Sequence, residues 1–454
     1  MDVLPLHQTE PTPPAADSNV RSAAPRTNFA GLDAVRALAG LSVVLLHSCV
    51  PYLRHPMPGL CWPVRDGSNR AIDVLFWSIE LFIMPLFLVL AGFFAWQTLQ
   101  RRGPKTLVKH RAKRLLIPLI FGIVFVLPFD LYAWVIGWVA EGVVPAVKLK
   151  SLKFDGVVDK DLWGLSHLWF IQYLFLYILG VAGFAWAQRR YPSILRYRPS
   201  LPFTIGLGLV IGSAVLFLHP EVVWGFQHSF LPFASKWIYS GVFFVFGVLL
   251  AVHDGDLKWL TRRAPQMVIP ACLATVTALA MGAWQLGVWE SADSMVNQAS
   301  NPLASMLLAV ATTLGALLVT LAIVGLAVRN IQRVPVAISY LAAASFWVYI
   351  VHHPVVGLVH LDLKWTVPGL PSVLKVAAAF VVTCTFALLT YEALVRRTAL
   401  GRLLGFAWEI PGRQTESDSS LLSMENHRVP NADASEPQHA GDDDEAPGTT
   451  RRAA

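Results

Sequence analysis

Ten long apolar runs divide the chain, at residues 32–52, 72–96, 115–139, 167–187, 201–218, 237–252, 267–289, 303–328, 339–359 and 373–395, with polar connections between them. Runs of about 20 residues cross the hydrocarbon core of a bilayer as helices, because a helix satisfies its backbone polar groups within one segment. The pattern predicts an all-α, polytopic membrane protein with about ten transmembrane helices over 29–407. A Pro- and Ala-rich stretch at 1–28 and a Ser-, Asp- and Glu-rich stretch at 408–454 cannot bury a core, and both are expected to be disordered tails. No apolar segment precedes the first run, which is expected to act as its own uncleaved signal.

The polar interruptions inside the runs carry more information than the runs. The first run, LDAVRALAGLSVVLLHSCVPY, holds Arg36 and His47. Eleven positions make three helical turns plus about 20°, so the two side chains share one face about 16 Å apart along the axis. An Arg at the centre of a span costs roughly 2.5–3.5 kcal/mol on insertion scales, and ionisable residues in a span mark function by default. Later runs contain Glu80, Asp130, His167, and the adjacent His352 and His353.

Charge between the runs sets orientation. Connections after the second, fourth, sixth and eighth runs hold sixteen Lys and Arg residues, against nine in the others. The positive-inside rule places the richer set, and with it both termini, in the cytoplasm. The densest connection, 97–114, contains Arg101, Arg102, Lys105, Lys109, Arg111, Lys113 and Arg114. It reads first as an orientation signal and a contact for membrane lipid, and it would also suit the phosphates of a nucleotide-bearing thioester. In this orientation His47, Glu80, Asp130, His167, His352 and His353 fall in the outer half of the membrane, with Arg36 near the cytoplasmic surface.

Composition agrees with the membrane class, since 14% of residues are charged and mean hydropathy is +0.53, whereas soluble proteins carry about 25% charged residues. The net charge of +7 comes from clusters between apolar runs rather than from a basic face, which argues against nucleic acid as a partner. The four cysteines lack metal-ligand spacing, and neither a metal nor a tightly bound cofactor is expected. Cys49 and Cys61 flank the first outer loop, where a disulfide and two free thiols both remain open.

An imidazole beside carboxylates is equipped for general-base work on an alcohol. No nucleophile-elbow serine accompanies the histidines, so transfer from an activated donor is expected rather than self-powered hydrolysis. Plainer readings stand alongside: a His bonded to a neighbouring helix, Glu80 and Asp130 as structural partners for each other or for a His, Arg36 snorkelling to the surface. Buried His, Asp and Glu also build the relays of a proton-coupled secondary transporter. Against that alternative, no internal repeat is visible and transporter sites usually lie near the midplane.

The stretch LDAVRALAGLSVVLLHS resembles the first membrane helix of the acyltransferase 3 family, whose signature is an Arg, ten residues, then a His. MPLFLVLAGFF (84–94), RLLIPLIFG (114–122), VLPFD (126–130), HLWFIQYL (167–174) and VYIVHHP (348–354) resemble its branch typified by the glucans biosynthesis protein C family. The resemblance implies O-acyl transfer from cytoplasmic acyl-CoA, as donor substrate, to a hydroxyl of an extracytoplasmic glycan, succinyl to periplasmic glucans in that branch. It implies a multi-pass protein of the inner membrane acting on a carbohydrate acceptor, with glycan-assembly partner proteins if transfer runs in two stages. By position His47 matches the family's catalytic His, Arg36 its essential Arg, and His352 a His that follows a Tyr by three residues; His353 is an extra. The expected catalytic set is thus His47, Arg36, Glu80, Asp130, His167 and His352, and the expected donor-binding set is Arg36, Arg111 and Arg114.

Overall fold

A computed structural model describes residues 30–405 except 59–61, 152, 155, 157, 159–161, 192–199 and 292–300. Both expected tails and Cys61, hence any pairing with Cys49, lie outside the described residues. The long helices are α1 (Ala30–Cys49), α2 (Arg70–Phe121), α3 (Leu127–Ala140), α4 (Trp169–Arg190), α5 (Leu201–Leu218), α6 (Ala234–His253), α7 (Lys258–Ser291), α8 (Pro302–Asn330), α9 (Val336–Thr366) and α10 (Ser372–Thr390). No strand occurs among the described residues. Nine stretches there are long and apolar enough to cross a membrane, so the chain is an all-helical, multi-pass membrane protein.

One of the nine is Arg70–Ala140, 71 residues long. At 1.5 Å per residue a straight helix of that length would be roughly three times as long as the hydrocarbon core is thick. It breaks at Gly103, whose φ of 75° lies outside helical space. The expected polar loop at 97–114 is therefore helical on both sides of a single residue. Lys, Arg, Gln and Leu are good helix formers, Gly103 adopts the left-handed φ without a Cβ penalty, and Pro104 restarts the helix where its missing N–H costs least. A second boundary differs for a similar local reason. α7 begins at Lys258, well before the expected 267, because the Asp254 carboxylate accepts the Trp259 and Leu260 N–H groups at 3.0 and 2.8 Å.

Small residues set the helix spacing. A Cβ on Gly92 would stand 2.1 Å from the Phe244 carbonyl oxygen, and one on Gly247 would stand 2.0 Å from that of Val89, so α2 and α6 meet backbone to backbone. α1 is held likewise: a Cβ on Gly31 would meet the Ala327 oxygen of α8 at 2.5 Å, and one on Gly40 would meet Ser345 Cβ of α9 at 2.9 Å. Close approach of this kind is how membrane helices associate where no hydrophobic effect separates helix from lipid.

The loop between α1 and α2 is tied down from several sides. Asp66 N–H donates to Pro51 O and Asn69 N–H to Tyr52 O, each at 3.0 Å. Lys375 of α10, 1% exposed, pairs with Asp66 at 2.7 Å. Lys364 of α9 pairs with Glu141 at 2.6 Å and donates to Arg65 O at 2.7 Å. Burial pushes the Asp66 carboxyl up, but hydrogen bonds from Lys375 and the Gly67 N–H outweigh it and hold the group below the usual carboxylate range.

Gly247→Ala should lower stability by roughly 1–3 kcal/mol through overpacking. Gly183→Ala, whose added Cβ would meet nothing within 4 Å, should raise it by roughly 0.5–1 kcal/mol through helix propensity. Thermal unfolding of the detergent-solubilised protein reads both signs. Asp66→Ala, which strands the buried Lys375 ammonium, should cost roughly 3–5 kcal/mol. Lys375→Met, which leaves a carboxylate that water can reach, should cost about 1 kcal/mol or less. Because the folded carboxyl is depressed, the pair's stabilisation should be complete above about pH 4 and disappear as pH falls through the folded value.

Candidate active site

α1 brings His47 to the wall of a cavity, partly open to solvent, that is also lined by Trp62, Glu80, Trp134, Ser166, His167, Trp169, His228, Lys236, Tyr349 and His353. Histidines dominate one end. The ring centroid of His47 lies 4.9 Å from that of His352 and 5.0 Å from that of His353, and His167 stacks on His353 at 4.8 Å. These four side chains come from α1, α9 and the turn Ser166–Leu168 that precedes α4.

Backbone carbonyls decide where the ring protons sit. His352 Nδ1–H donates to Tyr349 O at 2.8 Å, which leaves its Nε2 as an acceptor. His47 Nδ1–H donates to Val43 O at 2.9 Å and faces that Nε2 at 3.2 Å. The proton of His47 is therefore on Nδ1, and its Nε2 carries a lone pair. Among the described residues no hydrogen bond engages that nitrogen. His167 Nε2–H donates to Ile350 O at 2.9 Å, and Tyr349 O–H donates to the His167 carbonyl, so α9 and this turn lock together.

Asp130 arrives from α3 and is buried. It accepts the Nδ1–H of buried His353 at 2.6 Å, an aspartate–histidine dyad at the back of the cluster. Ser166, one of two non-glycine residues with positive φ (49°) among the described residues, holds its hydroxyl 3.4 Å from His353 Nδ1 and 3.5 Å from His167 Nδ1. Its N–H donates to Nε2 of His228 at 3.1 Å. Burial pushes the His228 imidazole below its ordinary range, so it is neutral at pH 7 and able to accept that bond.

Trp62 roofs the cluster. Its indole stacks on His47 at 5.8 Å and meets His353 edge-on at 5.0 Å. Trp62 Nε1–H donates to His360 Nδ1 at 3.1 Å, and His360 Nε2–H donates to Ser48 O at 3.1 Å, which makes His360 a bracket between α9 and α1. The pinned loop between α1 and α2 holds this indole in place.

Of the residues expected from sequence, His47, Asp130, His167 and His352 converge, and His353 is the hub among them. Glu80 lines the same cavity but meets none of the histidines; its charge neighbour is Lys236 of α6. Arg36 is exposed at the far end of α1, bonded to Asp33 at 3.2 Å. Arg111 is near enough to Arg36 and Arg114 to feel both charges, and its buried Nε has no partner among the described residues. Sequence reasoning passed over Trp62, Ser166, His228, His360 and Lys236. Lys236 is one of the nine basic residues in the less basic set of connections; the others sit in loops or on a helix face with no periodic signal, and nothing local marks them.

Asp130, His167 and His353 offer ligand atoms within 4.8 Å of one another. One pair among these three residues, His353 and Asp130, is joined by the 2.6 Å hydrogen bond of the dyad.

The chain is 24% identical over 344 residues to glucans biosynthesis protein C of Salmonella paratyphi B, Salmonella dublin and Salmonella enteritidis, an alignment that covers 73% of this chain and 82% of each relative. No solved structure matches it. The acyltransferase domain family matches residues 29–392, a span that contains every histidine of the cluster together with Arg36, Arg111 and Arg114, and the chain belongs to this acyltransferase 3 family of membrane acyltransferases.

Proposed function

We propose that the protein moves an acyl group from cytoplasmic acyl-CoA to a hydroxyl of an extracytoplasmic glycan, with His47 as the general base. The observation that carries this reading is the one unengaged nitrogen of His47, Nε2, left as a lone pair by two contacts at Nδ1 on a residue that lines the cavity. The acceptor hydroxyl gives its proton to His47 Nε2 as its oxygen attacks the thioester carbonyl. The C–O bond forms, the C–S bond breaks, and the imidazolium returns the proton to the leaving thiolate. Val43 O and His352 keep the tautomer correct throughout. The Asp130–His353 dyad, 5.0 Å away ring to ring, supplies negative charge that favours the transient imidazolium.

The donor would approach from the other end of α1. Arg36, Arg111 and Arg114 lie near one another, and among the described residues Arg111 pairs with no carboxylate, an arrangement suited to phosphate oxygens of acyl-CoA. The long pantetheine arm would then run beside α1 to His47. A proton-coupled transporter needs no such anion site, and membership in an acyltransferase family favours the enzyme.

In this reading the 71-residue stretch that breaks at Gly103 crosses the membrane twice. The chain then has ten crossings and both termini in the cytoplasm, within an inner membrane, as the distribution of basic residues favours. Succinyl is the group that the resemblance to the named branch suggests, and a glucan the acceptor.

His47→Ala should lower acyl transfer by about 10²–10⁴-fold and leave acyl-CoA binding measurable. Arg36→Ala should weaken donor binding directly, with poor rescue by Arg36→Lys if the contact is a bidentate fork. Near-normal transfer by folded His47→Ala protein would end the catalytic assignment. For topology, Gly156→Cys should react with an impermeant thiol reagent added to intact cells and Lys105→Cys should not, in a background without native cysteines; the reverse pattern would invert the orientation.

A further inference from the structure

Lys236 is a cation in a place that disfavours one. It stands in the first turn of α6, at the positive end of the helix dipole, where Lys is destabilising. It lines the same apolar-walled cavity as His47, in a segment otherwise fit to cross a membrane. Among the described residues its ammonium makes no ion pair and no hydrogen bond. Its contact is the face of Trp169, with Nζ 4.0 Å from the ring centroid. Glu80 is the other charge on the cavity wall and is close enough to be felt, yet the two are not in ion-pair contact. An aromatic face meets less of an ammonium's demand for partners than an ion pair does, and Lys236 is half-buried. A half-buried ammonium with no counter-charge in contact among the described residues points to an anion that completes the site.

We propose that Lys236 is the anchor of a carboxylate-binding subsite in the acyl-transfer cavity, with Trp169 holding the ammonium stem and Glu80 opposing it. The subsite rests on the acyltransferase reading, which it sharpens by naming the class of group recognised: a free carboxylate carried in with the reactants. Such a carboxylate could be the far end of a dicarboxylic acyl group or an acidic substituent on the acceptor sugar. Glu80 fits this role as a selector. It repels a carboxylate placed on its side of the cavity, so an anionic reactant is held at the Lys236 end only. Neither residue touches the histidine cluster, so the subsite discriminates among substrates without taking part in proton transfer.

The test compares chain-length-matched thioesters, succinyl-CoA against butyryl-CoA and glutaryl-CoA against pentanoyl-CoA, by thiol release with a neutral oligoglucoside acceptor. A second arm compares the neutral acceptor with one bearing a uronic acid, using butyryl-CoA. A charge-assisted hydrogen bond in this half-enclosed site is expected to produce a preference of about 10-fold in kcat/KM for the carboxylated partner in one arm. Lys236→Met should collapse that ratio to near one, and Lys236→Arg should retain most of it. The arm in which the ratio collapses identifies the source of the carboxylate. A ratio that survives Lys236→Met, or no preference in either arm of the wild type, overturns the subsite and leaves the acyltransferase reading standing. If no thioester is turned over, that reading fails, and the subsite is judged by binding: monomethyl succinate should raise the melting temperature of wild type but not of Lys236→Met, with dimethyl succinate inert on both. Equal responses of the two proteins would refute it.

Discussion

Polar groups inside a membrane protein have no water to fall back on, and the histidine cluster is built around that constraint. His47, His352, His167 and His360 each spend one ring nitrogen on a backbone carbonyl, of Val43, Tyr349, Ile350 and Ser48 respectively. Those bonds do more than satisfy a donor. A carbonyl can only accept, so each one fixes which nitrogen is protonated and leaves the other as a lone pair. In His352 that lone pair faces His47, in His360 it faces Trp62, and in His47, which lines the cavity, it meets no hydrogen-bond partner among the described residues. His353 differs, since its Nδ1–H is met by Asp130, a full charge in place of a carbonyl dipole. Proton positions across the cluster thus follow from the helical backbone.

That arrangement needs helices held at fixed separation, and the glycines provide it. Gly31 and Gly40 lie on α1 on either side of Arg36, and close contacts to α8 and α9 there fix the helix that carries both Arg36 and His47. α9 in turn carries His352, His353 and His360. A shift of α1 against α9 would open the 3.2 Å contact between His47 and His352 and loosen the tautomer with it. Beyond the C-terminal end of α1 the pairs Asp66–Lys375 and Glu141–Lys364 hold the loop that places Trp62 over His47. Charge pairs far from the chemistry therefore maintain its geometry.

The two ends of α1 serve different physical needs. One end sits among guanidiniums, one of them with a buried nitrogen that has no partner among the described residues, and the other end sits among imidazoles and aromatic rings. Anion recognition calls for fixed charge with spare donors, and proton transfer calls for groups that change charge easily. The two kinds of group thus stand at opposite ends of one helix.

Much of this was legible in the sequence, and the reason is that membrane insertion writes itself locally. Apolar length gives the helices, and a charged residue inside a run is conspicuous, so Arg36, His47, Asp130, His167 and His352 stood out one by one, as did the basic stretch around Arg111. The helical state of 97–114 was less visible, because charge density marks where a chain leaves the bilayer and says nothing about backbone conformation, which Gly103 and Pro104 decided. Partnerships were not legible at all. That His353 rather than Glu80 is the partner of Asp130, that Trp62 reaches His360 across 298 positions, and that Lys236 stands in the cavity instead of marking a surface are consequences of how the helices pack, and packing is a long-range result of side-chain shape that no local pattern of apolar and polar residues encodes.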